Sequence, residues 1–559
     1  MKNKIFSVIF LFLACYTAKA QELHIPLNDD YEMELSAAAY SSGHIFHTAM
    51  HAWSEYQFKD IIDLDSIDNQ YRFNVTTKNR FWNYFWNSCL NDDFLRARGE
   101  DDEFYIAANP LVDFEVGGDG TRTTWVNTRG IEVKGTIGKN FAFYSNVHEN
   151  QAVFPEYITN YIHDKKVIPG QGWAKTFKET GFDYTNSQAY IAFRPVKWLD
   201  AALGYGKNFI GDGYRSMMLS DNAFSYPYLR LTADFWRVQY TCLYTQMTDR
   251  NRILADNTYA RKFTLIHYLD VAVSKRVNIG FFDALVAKNQ DSLGMRRGFD
   301  FQYINPIIFL RPTEYYTGTS PDNSLLGVTA SVIVGRHTTL YGQFVLDEMT
   351  FKEFIGGKGY YGNKQSYQLG VKSYNCFNIN GLFLQLEGNI VMPYMYSHTS
   401  QGSGCGVGED NYAHYNEPLA HPWGANLWEC VGRAQYNWKR LYLQYKINFG
   451  QYGDDIKNAD GTIDNYGHNV YLDYQNHVHI LDPEEDPRGI YGHYLLTGRK
   501  TTLVMNDFTV SYLINPKYNL NAFVELTQRH LAAEGLETHD DFIFSVGLRT
   551  SIGRKYYDF

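Results

Sequence analysis

Alternation with a period of two constrains this chain more than any other feature, and it is cleanest near the C-terminus. In DFIFSVGLRTSIG, Phe542, Phe544, Val546, Leu548, Thr550 and Ile552 fall on one face, while Ile543, Ser545, Gly547, Arg549 and Ser551 fall on the other. Successive strand side chains point to opposite faces, and about eleven residues cross a bilayer as a tilted strand. The pattern repeats upstream. Leu520, Ala522, Val524 and Leu526 alternate with Asn521, Phe523, Glu525, Thr527 and Arg529, and Phe508, Val510 and Tyr512 alternate with Asp507, Thr509 and Ser511. Apolar on one face and charged or hydroxylated on the other is the lipid-versus-lumen pattern of a transmembrane barrel. A soluble sandwich alternates too, but its strands are usually nearer five or six residues.

The connections point the same way. Ile514–Asn519, Gly138–Asn140 and Arg194–Trp198 are tight, whereas Gly402–His421, Gly450–Gly467 and Gln475–Gly492 are long and polar. Short turns at one end and long loops at the other are the two ends of an outer-membrane barrel. Aromatic residues make up 16% of the chain, with Tyr 45, Phe 37 and Trp 10, which suits aromatic girdles at two interfaces. Mean hydropathy is −0.38, and past the N-terminus no apolar run reaches the ~20 residues a helical span requires. The expected fold is all-β: one antiparallel barrel of roughly 16–18 strands, occupying residues 101–559.

The first twenty residues, MKNKIFSVIFLFLACYTAKA, have a basic start, an apolar middle and a small-residue Ala18-Lys19-Ala20 end. They read as a secretory signal peptide, residues 1–20. Lipoprotein processing at Cys15 is the weaker alternative. Loss of Lys2, Lys4 and Lys19 lowers the basic count from 51 to 48 against 61 acids, a net charge of −13. That balance, with no basic stripe, argues against nucleic acid as a partner. Residues 21–100 read as a periplasmic or plug extension: EMELSAAAYSSGHIFHTAMHAW looks irregular and NRFWNYFWNSCLNDDFLRARGE helical. The terminal Phe559, after Tyr556 and Tyr557, looks like the end signal of a bacterial outer-membrane protein.

Chemical motifs are sparse. In GYGKNFIGDGYRS, Gly206, Gly211 and Gly213 approach phosphate-loop spacing, but Asp212 stands where that loop needs lysine and no helix pattern follows. The glycines fit better a sharp fold inside a barrel wall or lumen. His44, His47 and His51 would share one helical face, yet no carboxylate or cysteine completes a zinc set. Asn458, Asp460, Gly461 and Asp464 echo a calcium loop, but Gly467 stands where its bidentate Glu belongs; Asp454, Asp455, Asp460 and Asp464 are at most a loose surface calcium set. Cys89, Cys242, Cys376, Cys405 and Cys430 form no CxxC pair; they read as unpaired small residues, with a Cys405–Cys430 bridge in an oxidising compartment the alternative. HExxH and GxSxG are absent. Glu409, Asp410, His414, Glu417 and His421 are crowded enough for glycoside cleavage, but crowding in sequence fixes no carboxylate separation. No cofactor, metal or catalysis is expected.

The stretches GYGKNFIGDGYRSMMLSDNAFSYPYLRL, FQYINPIIFLRPTEYYTGTSPDNSLLG and LYGQFVLDEMTFKE resemble the Wzi-type capsule-assembly barrels of the Bacteroidota, a group that includes the gliding-motility protein RemB. NTRGIEVKGTIGKNFAFYSNVHENQ and NEPLAHPWGANLWE also resemble family blocks. The likeness spans nearly all of the mature chain. It implies an outer-membrane barrel and, by extension from proteobacterial members, attachment of surface polysaccharide. Alternatives are a gliding or adhesion component anchored by the barrel, and a passive porin. The expected partners are outer-membrane lipid, a surface polysaccharide, and cell-surface or secretion-machinery proteins. Aromatic faces stack on sugars and polar side chains bond their hydroxyls. Two segments are therefore the candidate sugar site, or equally a network bracing a plugged lumen. One supplies Asp212, Tyr214, Arg215, Asp221, Asn222, Tyr226 and Tyr228. The other supplies Arg311, Glu314, Tyr315, Tyr316, Asp322 and Asn323.

Overall fold

The computed structural model describes residues 23–100, 103–254, 256–289, 298–309, 322–398, 410–550 and 552–559. The proposed signal peptide, Cys405, Glu409, Arg311, Glu314, Tyr315 and Tyr316 lie outside them.

Among the described residues, eighteen long antiparallel strands close into one barrel. They are β1 Phe104–Gly118, β2 Thr123–Ile137, β3 Phe141–Val153, β4 Gly181–Val196, β5 Leu199–Gly206 and β6 Tyr226–Phe235. Next come β7 Val238–Ile253, β8 Tyr259–Ser274, β9 Val277–Lys288, β10 Asn323–Val334, β11 Thr338–Glu348 and β12 Lys364–Tyr374. The last six are β13 Leu382–Val391, β14 Leu427–Trp438, β15 Leu441–Asp454, β16 Arg499–Asn515, β17 Leu520–Ala533 and β18 His539–Arg549. Each pairs with its sequence neighbour, and β18 closes the barrel on β1 through Arg549↔Asp113 to Phe544↔Gly118. Closure leaves no edge, the condition for strands in lipid. No described helix is long and apolar enough to cross a membrane.

The alternation sets the facing. Phe544 is 45% exposed and Ser545 3%. Around the barrel, Ile131, Ile191, Leu203, Val328, Leu369, Leu386 and Val524 point outward and exposed, while buried polar residues line the inside. Two-residue turns such as 197–198, 236–237 and 439–440 mark one end, which is the periplasmic one. The connections 154–180, 207–225, the described residues of 392–426 (392–398 and 410–426) and 455–498 gather at the other, external end.

The seam departs from the simple strand reading. The sequence pattern runs through Ile552, but β18 stops at Arg549, where the Thr550 amide donates to Val112 O at 2.9 Å. The chain then turns into the lumen, so Phe559 does not end a wall strand. It packs on Tyr161 at 4.4 Å between ring centroids. The edge of β1 vacated by β18 is covered by a short strand, Leu95–Arg98, through Leu95↔Ala108 and Arg98↔Tyr105.

The N-terminal extension carries α1 Asp29–Ser41, α2 Glu55–Phe58, α3 Leu64–Gln70 and α4 Arg80–Leu90. The α1 stretch, irregular by sequence pattern, is helical because tertiary contacts supply what periodicity lacks: Tyr40 stacks on Tyr374, which packs on Phe383. His44, His47 and His51 are not on a helix; His47 Nδ1 lies 3.2 Å from Asp270. A small core of Leu35, Phe46, Trp53 and Phe58 holds the extension together. Outside, α5 Glu156–Lys165 sits in the first long external connection.

Candidate functional site

The connection between β5 and β6, residues 207–225, dips into the lumen and is held there by strand side chains. Glu387 of β13 accepts the Tyr214 amide at 2.8 Å and the Arg215 amide at 3.1 Å. Gln343 of β11 accepts the Met217 amide at 2.7 Å, and the Gln368 side-chain amide of β12 donates to Arg215 O at 2.9 Å. The backbone comes so close that a Cβ on Gly213 would fall onto Glu387 and within 2.9 Å of Arg215 O. Glycine is therefore needed for close approach, not for a phosphate cradle.

Arg215 is the hub and is fully buried. Its Nε and Nη2 donate to Glu429 of β14 at 3.0 and 2.7 Å, a bidentate fork. Its Nη1 donates to Asp558 at 3.0 Å. Asp558 also accepts from Lys446 at 3.0 Å and from Tyr214 Oη at 2.7 Å, and Lys446 lies 3.1 Å from Asp507. Asn448 and the His421 ring complete the shell of Glu429 at 3.0 and 2.8 Å. Buried charges persist only when paired in this way.

The structure brings five candidates from this stretch, Tyr214 and Arg215 among them, and Tyr226 and Tyr228 of β6 into the interior. Asp212 accepts from Tyr40 Oη of α1 and lies 3.7 Å from Lys372. Asp221 accepts from Tyr556 Oη at 2.6 Å, and the side chain of Asn222 donates to Pro418 O at 3.4 Å. Tyr226 Oη accepts the Asn208 amide at 3.2 Å, and Tyr228 is buried nearby beside His24 and Arg230. Asp322 and Asn323 sit apart: Asp322 accepts from Tyr303 Oη at 2.6 Å, and Asn323 donates to Asp410 O at 3.2 Å. Sequence reasoning missed Lys372, Glu387, Glu429, Lys446 and Asp558. The strand members carried a signal, since each is a charged residue on the inward phase of an alternating strand.

Three segments thus fill the lumen: residues 23–58 of the N-terminal extension, residues 207–225 and the tail 552–559. What space remains is split. A cavity of about 250 Å³ touches Tyr214, Arg433, Lys446, Glu525 and Arg549. Another of about 120 Å³ touches His24, His148, Tyr190, Lys207 and Arg230.

Above the plug lies an aromatic roof built from the connections 349–363, 392–398 and 455–498. Tyr361 stacks on His477 at 4.2 Å between ring centroids and packs on Tyr474 at 5.8 Å. Tyr394 packs on His493 at 5.4 Å. The His493 Nε2–H donates to Gly489 O at 2.8 Å, and burial pulls this imidazole down to about 4. Beyond, Tyr491 Oη donates to Glu353 at 3.1 Å and the Tyr494 ring is exposed. Below the roof, against the 154–180 connection, Glu417 accepts the Gly170 amide at 2.6 Å, and burial pushes its carboxyl up to about 8. His414 Nδ1 accepts the Thr248 amide at 2.9 Å. Glu417 and His414 are thus committed to backbone partners. Among the described residues no cluster of histidine, cysteine and carboxylate groups could hold a metal. Cys89, Cys242, Cys376 and Cys430 are free thiols.

A closed strand barrel with an apolar outer band and a packed polar interior is an outer-membrane β-barrel protein of a Gram-negative envelope. Its architecture is similar to that of Wzi of Escherichia coli, described as an outer-membrane protein involved in group 1 capsule assembly and a carbohydrate-binding β-barrel. The TM-score is 0.53 at 11% identity, over 95% of this chain and 100% of that one. OprD of Pseudomonas aeruginosa aligns over 82% of this chain and 96% of its own at 11% identity and a TM-score of 0.40. OccAB2 of Acinetobacter baumannii aligns over 80% and 98% at 9% identity and 0.41. No family model matches the chain, and no curated protein matches it.

Proposed function

We propose that this barrel acts without catalysis in the assembly or attachment of a surface polysaccharide, and that it does so at its external face. Occlusion of the lumen is the observation that carries the reading. Arg215, Glu429, Asp558 and Lys446 lock the infolded segment and the tail together across the middle of the barrel. A polymer or solute would have to break buried, paired charges to pass. The external loops instead offer the accessible Tyr494, beside Tyr491 and Glu353, groups suited to stacking on sugar rings and bonding hydroxyls. The architectural likeness to the carbohydrate-binding Wzi barrel and the sequence resemblance to Bacteroidota members of that group support the same reading.

The test is a deletion strain scored for capsule staining, cell spreading and complementation, with planar-bilayer conductance of the purified protein. Loss of capsule with spreading intact is the expected result. Loss of spreading with capsule intact would replace this reading with the adhesion and gliding one, and steady ion conductance by the native protein would replace it with a porin.

A further inference from the structure

Helix α4, Arg80–Leu90, presents an apolar face that no described part of the chain covers. Phe81 is 66% exposed, Trp82 49% and Trp86 45%. With Phe85 they form one continuous row, each ring edge-on to the next: Phe81–Trp82 at 5.4 Å, Trp82–Phe85 at 5.7 Å and Phe85–Trp86 at 5.4 Å. Positions i, i+1, i+4 and i+5 share one side of a helix. The other side is polar and tied down. Asn79 caps the start by accepting the Phe81 amide at 2.8 Å. Asn515, at the foot of β16, donates to Ser88 O and Asp92 O, both at 3.0 Å, and Tyr518 Oη lies 3.2 Å from Ser88 O.

These ties fix the height of the helix. Asn515 and Tyr518 belong to the turn joining β16 to β17 on the periplasmic rim. Four residues after α4 the chain enters the barrel wall as the strand Leu95–Arg98. There Leu95 is exposed beside the outward Phe104 and Ile106 of β1. The helix therefore leads, through residues 91–94, into a strand whose Leu95 belongs to the apolar outer band. Lys78 and Arg80, at the start of the helix, are exposed cations on a chain that is acidic overall.

We propose that α4 is an interfacial anchor whose Phe81, Trp82, Phe85 and Trp86 lie in the glycerophospholipid leaflet at the periplasmic rim. Lys78 and Arg80 meet the lipid phosphates. Phenylalanine and tryptophan on one face with lysine and arginine at its margin is the composition of helices that lie in a headgroup layer, and tryptophan at a barrel rim settles at that depth. A protein partner would need no such match in height with the lipid band.

Replacing Phe81 with the photocrosslinker p-benzoylphenylalanine keeps an aromatic residue on the surface and leaves the buried contacts of α4 intact. Irradiation of intact cells, followed by mass analysis of the peptide around residue 81, should give a mass gain of one phospholipid. Crosslinking to a protein, or no adduct, would overturn the proposal. As a second measurement, native protein and a Trp82→Gln/Trp86→Gln variant are placed in nanodiscs of phosphatidylethanolamine and phosphatidylglycerol with brominated acyl chains. The tryptophan emission lost in the variant should be the part that bromine quenches and aqueous iodide does not. The opposite quenching pattern would place the helix in water.

Discussion

The guanidinium of Arg215 and the carboxylate of Asp558, 343 positions apart in the chain, meet at 3.0 Å in the middle of the barrel. This contact joins an infolded connection to the C-terminal tail, and both partners are buried. Removing one member of a buried pair strands the other, at roughly 3–5 kcal/mol. Asp558→Ala should therefore lower the temperature at which the compact form converts to the unfolded band in detergent gels. Because Lys446 keeps Asp507, the loss should fall toward the lower end of that range. An unchanged transition would mean the tail braces nothing.

Asp212 ties the extension to the wall, accepting from Tyr40 Oη while Lys372 donates to its backbone carbonyl at 2.6 Å. Asp212→Ala should free α1 and speed protease cleavage within residues 23–60, with the barrel still heat-modifiable. Asp212→Lys should bind no ATP in calorimetry, because residues 207–225 offer no helix end to a phosphate. Equal cleavage rates, or micromolar nucleotide affinity, would count against this account.

Phe544 faces outward and Ser545 inward, against a third lumen cavity of about 130 Å³ lined also by Glu525 and Asp507. Arginine at the lipid site costs roughly 2–4 kcal/mol near the midplane. Arginine at the lumen site finds acidic neighbours. Phe544→Arg should give less folded barrel than Ser545→Arg, read as the heat-modifiable fraction of outer-membrane extracts. Equal fractions would refute the facing.

Two buried groups in the external connections, His493 of the roof and Glu417 below it, respond to pH in opposite senses. The His493 imidazole is held down to about 4 by burial. Between that value and its ordinary 6.5 the unfolded form binds more protons, so roof stability is lost as pH falls through this window. The Glu417 carboxyl is held up to about 8 by burial. The folded form there binds more protons, so its contribution is full below about 4.5 and lost as pH rises through 8. The protection factors of residues 474–494, exchange corrected for its intrinsic pH dependence, should fall on acidification to about pH 4.5, and His493→Gln should blunt the effect. The protection factor of amides near residue 417, exchange corrected for its intrinsic base catalysis, should fall above about pH 8. A flat profile at both sites would contradict the burial argument.

The wall of the barrel is written in local sequence. Period-two runs such as Phe542–Leu548 and Leu520–Leu526 specify which side chains meet lipid, because a strand has only two faces and a one-residue slip would invert them all. Turns such as Ile514–Asn519 set the short end in the same local way. The inward phase of these strands also marks Asp507 and Glu525 as lumen residues. The contents of the lumen come from tertiary contacts instead. Nothing in KYYDF announces that Asp558 reaches Arg215, since the tail leaves the wall only after β18 has paired, and its aromatic end reads locally as one more strand. The α1 stretch has an irregular pattern because its order comes from Tyr374 and Asp212, residues of a barrel strand and an infolded connection far along the chain. Residues 207–225 are visibly polar and glycine-rich, but their partners Glu387, Gln343 and Glu429 stand on three different strands. Alternation is a property of neighbouring residues, whereas a packed lumen is a property of closure, which brings together groups that no local pattern relates.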